Sequence, residues 1–294
     1  MATVILSFAV EEHDRIEAAT GLCVAESAKA DYARRMDDRT RLILDRLAAR
    51  NVTATFFIVG QIARTHPGLV RDIAAAGHEV ASHSWDHRRV HRFDPASFRD
   101  DLRSSKDALE QAGGKPVVGF RAPTFSVVRE TGWAIDVLAE CGFRYDSSVF
   151  PVRHDRYGVP AAPRGPFRAE GRERTILELP PATYRLFGQN LPVAGGGYFR
   201  LFPPAVMRAG IRQLATRTHP PIGTLYFHPW EFDPDQPRLP LGRFARWRTY
   251  VGIGKSLGRL QRLLDRPYTF RRAVDVADEI ERTAVELPRF RIPA

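Results

Sequence analysis

Ala81-Ser82-His83-Ser84-Trp85-Asp86-His87 is the stretch of sequence around which the fold is predicted. It comes after Gly77-His78-Glu79-Val80, a run typical of a short buried strand that is preceded by a helix. Two imidazoles four residues apart, on one turn just past a strand, can face a single cation. Histidine pairs at this spacing are common by chance, so the interpretation depends on the side chains found at the ends of the other strands.

Strands and helices alternate along most of the chain. Short continuous apolar runs are typical of strands buried on both faces, and the segments between them carry the periodicity of amphipathic helices. The predicted strands are 3–8, 53–59, 77–80, 116–120 and 224–227, and the predicted helices are 36–50, 67–76, 95–113, 133–141 and 204–218. This alternation predicts an α/β fold with a parallel sheet or barrel, whose functional site lies at the C-terminal ends of the strands.

The middle and the end of the chain have a different pattern. Proline and glycine are frequent between Pro151 and Pro204, where no strong periodicity is present. Gly195-Gly196-Gly197-Tyr198 predicts a turn or a close backbone approach, and the lack of a subsequent Lys-Ser/Thr argues against a phosphate loop. From Arg238 onward the chain is rich in arginine and is predicted to be mostly helical. We predict a single domain over residues 1–294 with an inserted or appended C-terminal portion.

The composition, 44% hydrophobic and 27% charged, is that of an ordinary globular protein. A net charge of +10 favours anionic partners, but an arginine-rich solvated surface accounts for it, and no motif of nucleic-acid recognition accompanies it. Cys23 and Cys141 form no CxxC pair, so we expect both to be reduced. The sequence has neither a signal-peptide pattern nor an apolar run of the roughly 18 residues needed to span a bilayer. We therefore expect a soluble, cytoplasmic protein without a transmembrane segment, and these features do not determine its oligomeric state.

Polar side chains lie just past several of the predicted strands. Glu11 comes after the first strand, and with His83 and His87 it offers one carboxylate and two imidazoles. These ligands suit one divalent metal ion, with Zn²⁺ the first choice and Co, Ni or Fe also compatible; such an ion lowers the pKa of bound water and polarises a carbonyl oxygen. Arg121 would hold a carboxylate base by a bidentate contact, and His228 could protonate a leaving amine. Together these groups predict hydrolysis of an amide.

Five motifs along nearly the whole chain carry a resemblance to a known family. In chain order they are Ser7-Phe8-Ala9-Val10-Glu11-Glu12, His83-Ser84-Trp85-Asp86-His87, Arg121-Ala122-Pro123-Thr124-Phe125, Asp146-Ser147-Ser148 and Leu225-Tyr226-Phe227-His228-Pro229-Trp230. With these motifs in this order, the chain resembles the polysaccharide deacetylases with a NodB-type domain (carbohydrate esterase family 4), and most closely their intracellular branch found with exosortase-linked exopolysaccharide gene clusters. Residues from about 150 to 290 resemble the C-terminal extension of that branch.

The resemblance implies a distorted (β/α) barrel of about seven parallel strands, a single divalent metal and removal of N-acetyl groups from amino sugars such as N-acetylglucosamine. It implies that the substrate is an acetylated polysaccharide, oligosaccharide or glycoside. By position, the metal ligands would be Glu11, His83 and His87; Arg121 would hold the base, His228 would be the general acid, and Asp146 would line the pocket in a supporting role.

Ala9 is the one departure from the family pattern that matters for catalysis. Similar sequences carry aspartate there, as the general base, and alanine cannot take a proton. Glu12 or Asp14 could replace that base only if the strand alternation were bent. Either the chain is a deliberately inactivated variant or it is a natural pseudoenzyme, and the survival of every other motif favours the first. We predict impaired catalysis, a buried Arg121 without its carboxylate partner, and intact metal binding.

Two further functions and three aromatic residues complete the predictions. The chain could hydrolyse a non-sugar amide or cyclic imide, as allantoinase-like relatives with this motif set do, or it could bind glycans without catalysis. Phe125, Tyr198 and Trp230 are the candidate substrate-binding residues, because aromatic faces stack on sugar rings, although core packing is an equal interpretation for Tyr198 and Trp230. His154 has no motif partner and is interpreted as structural.

Overall fold

The structure, a computed structural model, describes residues 2–292 of the chain. The strands are β1 (Thr3–Val10), β2 (Thr55–Ile58), β3 (Glu79–Ser82), β4 (Gly119–Phe120), β5 (Tyr145–Asp146), β6 (Phe167–Glu170), β7 (Thr175–Glu178), β8 (Thr183–Leu186), β9 (Gln189–Pro192), β10 (Ile222–Phe227), β11 (Thr269–Arg271) and β12 (Arg289–Arg291). The helices are α1 (Glu26–Ala48), α2 (Gly60–Thr65), α3 (Pro67–Ala75), α4 (Pro95–Gly113), α5 (Ala134–Glu140), α6 (Gly196–Leu201), α7 (Pro204–Arg217), α8 (Arg243–Tyr250), α9 (Ser256–Leu264) and α10 (Ala273–Arg282).

The main sheet contains a run of parallel strands in the order β10-β1-β2-β3-β4-β5-β7. Beyond β7 the sheet continues with β6, which is antiparallel to β7, and then with β12. A bridge between Pro181, just past β7, and Thr224 of β10 brings the two ends of the parallel run together. The predicted α/β fold, a distorted barrel of about seven parallel strands, is confirmed.

Alternate residues of β1 face two different apolar layers. Val4, Leu6 and Phe8 pack in the larger core cluster, which also contains buried residues of the surrounding helices. Ile5 belongs to the cluster inside the barrel, so Ser7 and Ala9, which come after it at a spacing of two, lie on the inner face as well. Both faces are buried because neighbouring strands and helices cover them, as expected of a central parallel strand.

Helix α4 begins and ends where its sequence predicts. The Asp94 side chain accepts a hydrogen bond from the Ser97 backbone N–H at 2.8 Å, and Pro95 occupies the first helical position. Gly114 comes directly after the helix with a positive φ of 68°. The cap fixes the start of a helix whose buried Asp101 contacts the loop that carries His83 and His87.

Helix α1 begins ten residues before the predicted start at Met36. Half of the residues in its first turns, from Glu26 to Arg35, are charged and they carry little apolar periodicity, so the sequence pattern did not indicate a helix there. The buried Tyr32 and an ion pair at 3.0 Å between Arg35 and the buried Asp233 attach these turns to the segment after β10. Tertiary contacts, rather than local periodicity, therefore extend this helix.

The second half of the chain contains elements that the sequence pattern did not indicate. The region without strong periodicity contains four short strands, β6 to β9, and the helix α6. The end of the chain is helical in α8, α9 and α10 but also adds β11 and β12 to the main sheet. Within residues 2–292, none of the helices has the length and apolar character needed to cross a membrane.

Candidate active site

A cavity of about 150 Å³ opens at the C-terminal ends of β1, β3, β4 and β10. This is the edge at which the sequence predicts the functional site, because parallel strands that share a direction bring their loops together. Its lining includes Ala9, Glu11, His83, His87, Arg121, Phe125, Tyr157, Tyr226, His228 and Trp230. Residues far apart in the sequence thus meet around one small space.

Glu11, His83 and His87 form the candidate metal centre of this cavity. One ligand atom from each lies within 4.8 Å of the others, and Glu11 Oε2 lies 3.8 Å from His83 Nε2 and contacts His87 Nε2. Glu11 Oε2 is buried and receives no hydrogen bond from residues 2–292. A buried carboxylate oxygen that faces two imidazole nitrogens fits a divalent cation, so the donor set suits the metal that the sequence predicts.

The backbone near Arg121 fixes which ring nitrogen of His83 faces the centre. His83 Nδ1 lies 2.7 Å from the carbonyl oxygen of Arg121, so Nδ1 carries the proton and donates it. The lone pair of Nε2 then points towards Glu11. A backbone carbonyl that orients a metal-binding histidine in this way is the usual outer partner of such ligands.

Asp101 supports the histidine loop from α4 and was missed in the sequence. Its Oδ2 accepts hydrogen bonds from Ser84 Oγ at 2.9 Å and from the Trp85 backbone N–H at 3.0 Å. Ser84 has a positive φ of 68°, a conformation that non-glycine residues adopt only when other contacts hold it. Burial raises the pKa of Asp101 to about 6. The sequence signal was an aspartate within the apolar spacing of α4, between Phe98 and Leu102.

The electrostatics of the centre favour the protonation states that bind metal. Burial alone would raise the pKa of Glu11, but the imidazoles of His87 and His228 outweigh it and hold that pKa well below its usual range. Burial, together with the neighbouring His87, lowers the pKa of His83 to about 3. Glu11 is therefore a carboxylate and His83 a neutral imidazole at neutral pH, which are the forms that coordinate a cation.

The base side of the cavity contains Ala9 and Arg121. Arg121 is buried, and its Nη1 donates to Ser7 Oγ at 2.9 Å, its Nη2 to Ser147 Oγ at 2.9 Å and its Nε to the Ser147 carbonyl at 3.1 Å. The guanidinium also lies 4.0 Å from the centre of the Phe57 ring. Burial lowers the pKa of Arg121 to about 10. Among the described residues no carboxylate pairs with it directly, and neutral oxygens and an aromatic face hold the cation instead.

Asp146 lies behind Arg121 rather than in the cavity, so its predicted place as a pocket-lining residue is wrong. Its Oδ1 accepts hydrogen bonds from Ser148 Oγ at 2.5 Å and from the Ser147 N–H at 2.8 Å. Burial raises the pKa of Asp146 to about 6, and burial beside Asp146 raises the pKa of Glu178 well above its usual value. Asp146 thus positions the two serines that contact Arg121 and Ala122.

His228 comes directly after β10 and faces the metal centre from the opposite side. Its Nε2 lies 3.8 Å from Glu11 Oε1, and its Nδ1 lies 3.2 Å from Oε1 of the buried Glu231. Burial alone would lower the pKa of His228, but Glu11 and Glu231 outweigh it and raise that pKa.

Glu231 and Arg200 were missed by the sequence reasoning. Arg200 Nη2 lies 3.8 Å from Glu231 Oε1, and its Nη1 donates to the backbone carbonyls of Thr249 and Val251. The signal for Glu231 was its place three residues after His228. Arg200 offered no signal, because only the fold brings it beside that glutamate.

The three candidate aromatic residues fall in different places. Phe125 and Trp230 line the cavity, and Trp230 Nε1 also donates to Glu11 Oε1 at 3.3 Å. Trp230 is buried as well, so both interpretations of it, sugar contact and packing, describe part of its environment. Tyr198 lies outside the cavity, in a neighbouring cleft.

Neither carboxylate considered as a replacement base occupies the base position. Glu12 forms an ion pair with Arg15 at 2.5 Å, and neither Glu12 nor Asp14 lines the cavity. The strand alternation is not bent at this point, because β1 stays extended through Val10. The carboxylate missing at Ala9 is therefore not supplied from the adjacent loop.

Two family models together cover most of the chain. Residues 31–145 match a model described as Polysaccharide deacetylase, and residues 147–278 match a domain of unknown function, DUF3473. A chitooligosaccharide deacetylase of Bradyrhizobium sp. (strain ANU 289) is 32% identical over 97 residues, which are 33% of this chain and 42% of that protein. The chain thus spans less than half of the length of this curated relative.

Solved structures share the fold over nearly the full length. A Mycobacterium smegmatis protein described as a polysaccharide deacetylase superposes with a TM-score of 0.60 at 22% identity, covering 98% of this chain and 92% of its own. The Puue allantoinase superposes with a TM-score of 0.61 at 17% identity, covering 96% and 90%. At such identities these likenesses concern the fold, and the predicted distorted barrel agrees with both.

Proposed function

Because residues 31–145 carry the polysaccharide deacetylase domain, we propose that this site hydrolyses the N-acetyl amide of an amino sugar and that the present chain lacks its general base. One observation carries the proposal. A single cavity is lined by the three candidate metal ligands, by Arg121 and by His228, with Ala9 among them. Metal ligands, an oriented proton donor and a position for a base are the parts that amide hydrolysis requires.

Glu11, His83 and His87 would hold one divalent ion. Zinc is the first choice for a carboxylate with two imidazoles, and cobalt, nickel or iron fit the same donors. When bound, such an ion supplies Lewis-acid polarisation of the amide oxygen and makes water more acidic. The other steps fall to side chains of this chain.

His228 is placed to protonate the leaving amine. Its Nδ1 lies 3.2 Å from Glu231 Oε1, so the Nδ1–H group donates a hydrogen bond to that carboxylate, which stabilises the charged imidazolium. Nε2 faces the cavity and gives its proton to the amide nitrogen as the C–N bond breaks. Glu231 acts through His228 and is a positioning residue.

The base is missing at position 9. Ala9 lines the cavity and shares the inner face of β1 with Ser7, whose Oγ contacts Arg121. An aspartate at position 9 would place its carboxylate on the same face, where Arg121 could hold it and where it could take a proton from the attacking water. A methyl group cannot accept a proton, so hydrolysis by the present chain is impaired.

Glycan binding without catalysis is the second candidate, and Ala9 is the observation that favours it. Under that alternative the site retains an acetylated sugar but never turns it over. Hydrolysis of a non-sugar amide or cyclic imide stays an outcome of the test, because the likeness to an allantoinase concerns the fold.

Acetate release by the zinc-loaded Ala9→Asp variant tests the proposal. N-acetylglucosamine oligomers and acetylated amino-sugar glycosides are the substrates, and Ala9→Asn, which matches aspartate in size but cannot act as a base, is the control. We expect Ala9→Asp to release acetate at least about 100-fold faster than the present chain or Ala9→Asn. No acetate release from any sugar by Ala9→Asp would refute the proposal, and turnover of a ureide or imide instead would assign the site to that class.

A further inference from the structure

A second cleft lies directly beside the active-site cavity. It has a volume of about 330 Å³, and it shares Tyr157 and Tyr226 with the lining of the cavity. The two spaces are therefore neighbours, with these two tyrosines in contact with both. The proposed hydrolysis uses the cavity only and gives the cleft no role.

One wall of the cleft is an aromatic face of α8. Phe244, Trp247 and Arg248 lie three and four residues apart, so they share one side of that helix. Phe244 is 71% exposed and Trp247 is 51% exposed, and their ring centres are 6.1 Å apart. Leu201, 44% exposed, lines the same cleft. Large apolar side chains left in contact with water around a concave space are typical of a ligand site.

The opposite wall is formed by His154 and Tyr157, and Arg248 reaches it from α8. Arg248 Nη2 lies 2.7 Å from His154 Nε2, while His154 Nδ1 lies 3.1 Å from the Arg156 backbone nitrogen and 3.0 Å from Asp155 Oδ1. His154 stacks on Tyr157 with ring centres 3.9 Å apart, and Tyr157 stacks in turn on Phe150 with an angle of 2° between the rings. The stack holds the tyrosine and the guanidinium in fixed positions at the edge of the cleft.

The mixture of groups identifies the chemistry of the ligand. A pyranose ring presents an apolar C–H face, which aromatic rings cover, and a rim of hydroxyls, which tyrosine and arginine bind. A lipid chain would fill the aromatic part but would remove water from the partly exposed guanidinium of Arg248, which has more N–H groups than its contacts with His154 and Asp155 use, and that is costly. The cleft is therefore better matched to a sugar than to an alkyl or prenyl chain.

We propose that this cleft binds the sugar next to the one whose acetamido group enters the cavity, so that the substrate is an oligosaccharide of at least two sugars. The assignment of the acetylated sugar to the cavity rests on the proposed function. Every residue that lines the cleft falls within residues 147–278, the match to the domain of unknown function. That region would therefore supply a glycan subsite.

Binding to the present chain tests the cleft apart from catalysis, because Ala9 prevents turnover. Calorimetric titrations with N-acetylglucosamine and its dimer and trimer are carried out on this chain, on Phe244→Ala/Trp247→Ala and on Phe187→Ala. Phe187, on the β8–β9 turn, is 96% exposed and does not line the cleft, so its variant is the matched control.

We expect the oligomers to bind at least about tenfold more tightly than the monosaccharide, because the second ring stacks on the aromatic wall. Phe244→Ala/Trp247→Ala should reduce oligomer affinity to that of the monosaccharide, while Phe187→Ala should change neither. Equal affinity for one and two sugars, or equal losses in both variants, would overturn the proposal. Tighter binding of a dodecyl glycoside than of the dimer, lost in the double variant, would assign the cleft to an apolar chain instead.

The two proposals fail in distinguishable ways. If Ala9→Asp releases acetate equally well from the monosaccharide and the oligomers, the cleft proposal is overturned and the deacetylase function stands. If the oligomers bind in the cleft but Ala9→Asp releases no acetate, the subsite is supported as a glycan-binding site and the proposed function is refuted.

Discussion

The metal side and the base side of the cavity are built from the same strand but differ in completeness. Glu11, just past β1, meets both of its histidine partners, whereas Ala9, two residues earlier, leaves Arg121 without a carboxylate partner in the part of the chain that the structure describes. Separate contacts support the two sides: Asp101 and a backbone carbonyl hold the histidine loop, and Ser7 and Ser147 hold Arg121. The comparison teaches that loss of the base need not disturb the ligands for the metal.

The base side also shows how the buried guanidinium of Arg121 is accommodated with alanine, rather than a carboxylate, at position 9. Three hydrogen bonds to neutral oxygens and the face of Phe57 surround the guanidinium of Arg121. The buried acid pair of Asp146 and Glu178 lies nearby and favours the charged form of Arg121. These contacts offset part of the desolvation cost that makes such charges rare.

Removing the proton donor should have the largest effect once the base is restored. In the Ala9→Asp chain, His228→Ala should reduce kcat for acetate release by about 100-fold to 10,000-fold, because the leaving amine then departs without a proton. Steady-state kinetics measures the loss, and zinc affinity should be retained because Glu11, His83 and His87 remain. His91→Ala, at an exposed histidine, is the control. Equal rates in His228→Ala and the control would remove His228 from the mechanism.

A double-mutant cycle between positions 9 and 121 sharpens the account of the base side. In the present chain, Arg121→Met should change the free energy of unfolding by less than about 1 kcal/mol, because an apolar side chain of similar length avoids the cost of burying a charge. The hydroxyls of Ser7 and Ser147 would still have partners in this variant, because they donate to the carbonyl oxygens of Leu225 and Leu179 at 2.7 and 2.8 Å.

In the Ala9→Asp chain, the same substitution should cost about 3 kcal/mol, since it leaves a buried carboxylate unpaired. Urea unfolding of the four chains gives the coupling free energy between the two positions. Additive effects of the two substitutions would show that residue 9 does not pair with Arg121, and the assignment of the base side would be wrong.

The pH dependence of stability should report on the support of the metal side. The folded pKa of Asp101, about 6, is above the ordinary value of 3.8, so its contribution to stability is present below pH 3.8 and is lost as pH rises through 6. Asp101→Asn removes this titration, and the difference between its unfolding free energy and that of the present chain should change by about 2 kcal/mol between pH 4 and pH 7. Asp100→Asn, at an exposed neighbour, should show no such change. Parallel pH profiles for all three chains would contradict this assignment.

Glu231 should give the smallest effect, because it acts only through His228. In the Ala9→Asp chain, Glu231→Gln should lower kcat by about tenfold and leave KM unchanged, since the substrate does not contact Glu231. Glu231→Asp should restore part of the rate, which a purely structural loss would not allow. An increase in KM without a change in kcat would exclude a positioning role.

The strand ends that carry the site were predictable, whereas their supports were not. Continuous apolar runs identified β1 and β10, and the polar residue after each run marked Glu11 and His228. Asp101 is hidden in the periodicity of a helix, and Arg200 reaches Glu231 only through folding of the second half of the chain. Such contacts have high sequence separation and leave no local pattern.

The second half of the chain was less predictable for a related reason. Strands β6 to β9 contain no continuous apolar run, and prolines and glycines are frequent around them, so the local pattern did not identify them. Tyr198 was predicted as a substrate-binding residue, but it lies in the neighbouring cleft, whose shape depends on where α6 and α8 pack. The origin of Ala9, by deliberate inactivation or by natural loss, stays a prediction.

Zinc titration of the present chain and of Ala9→Asp tests most directly whether the metal side is complete without the base. Calorimetry of both chains, with Glu11→Gln as the control, measures stoichiometry and affinity under one condition. We predict one zinc ion per chain, similar affinity with either residue at position 9, and a loss of more than about 100-fold in Glu11→Gln. If the present chain bound no zinc and Ala9→Asp did, the two sides would not be independent and the account would be wrong.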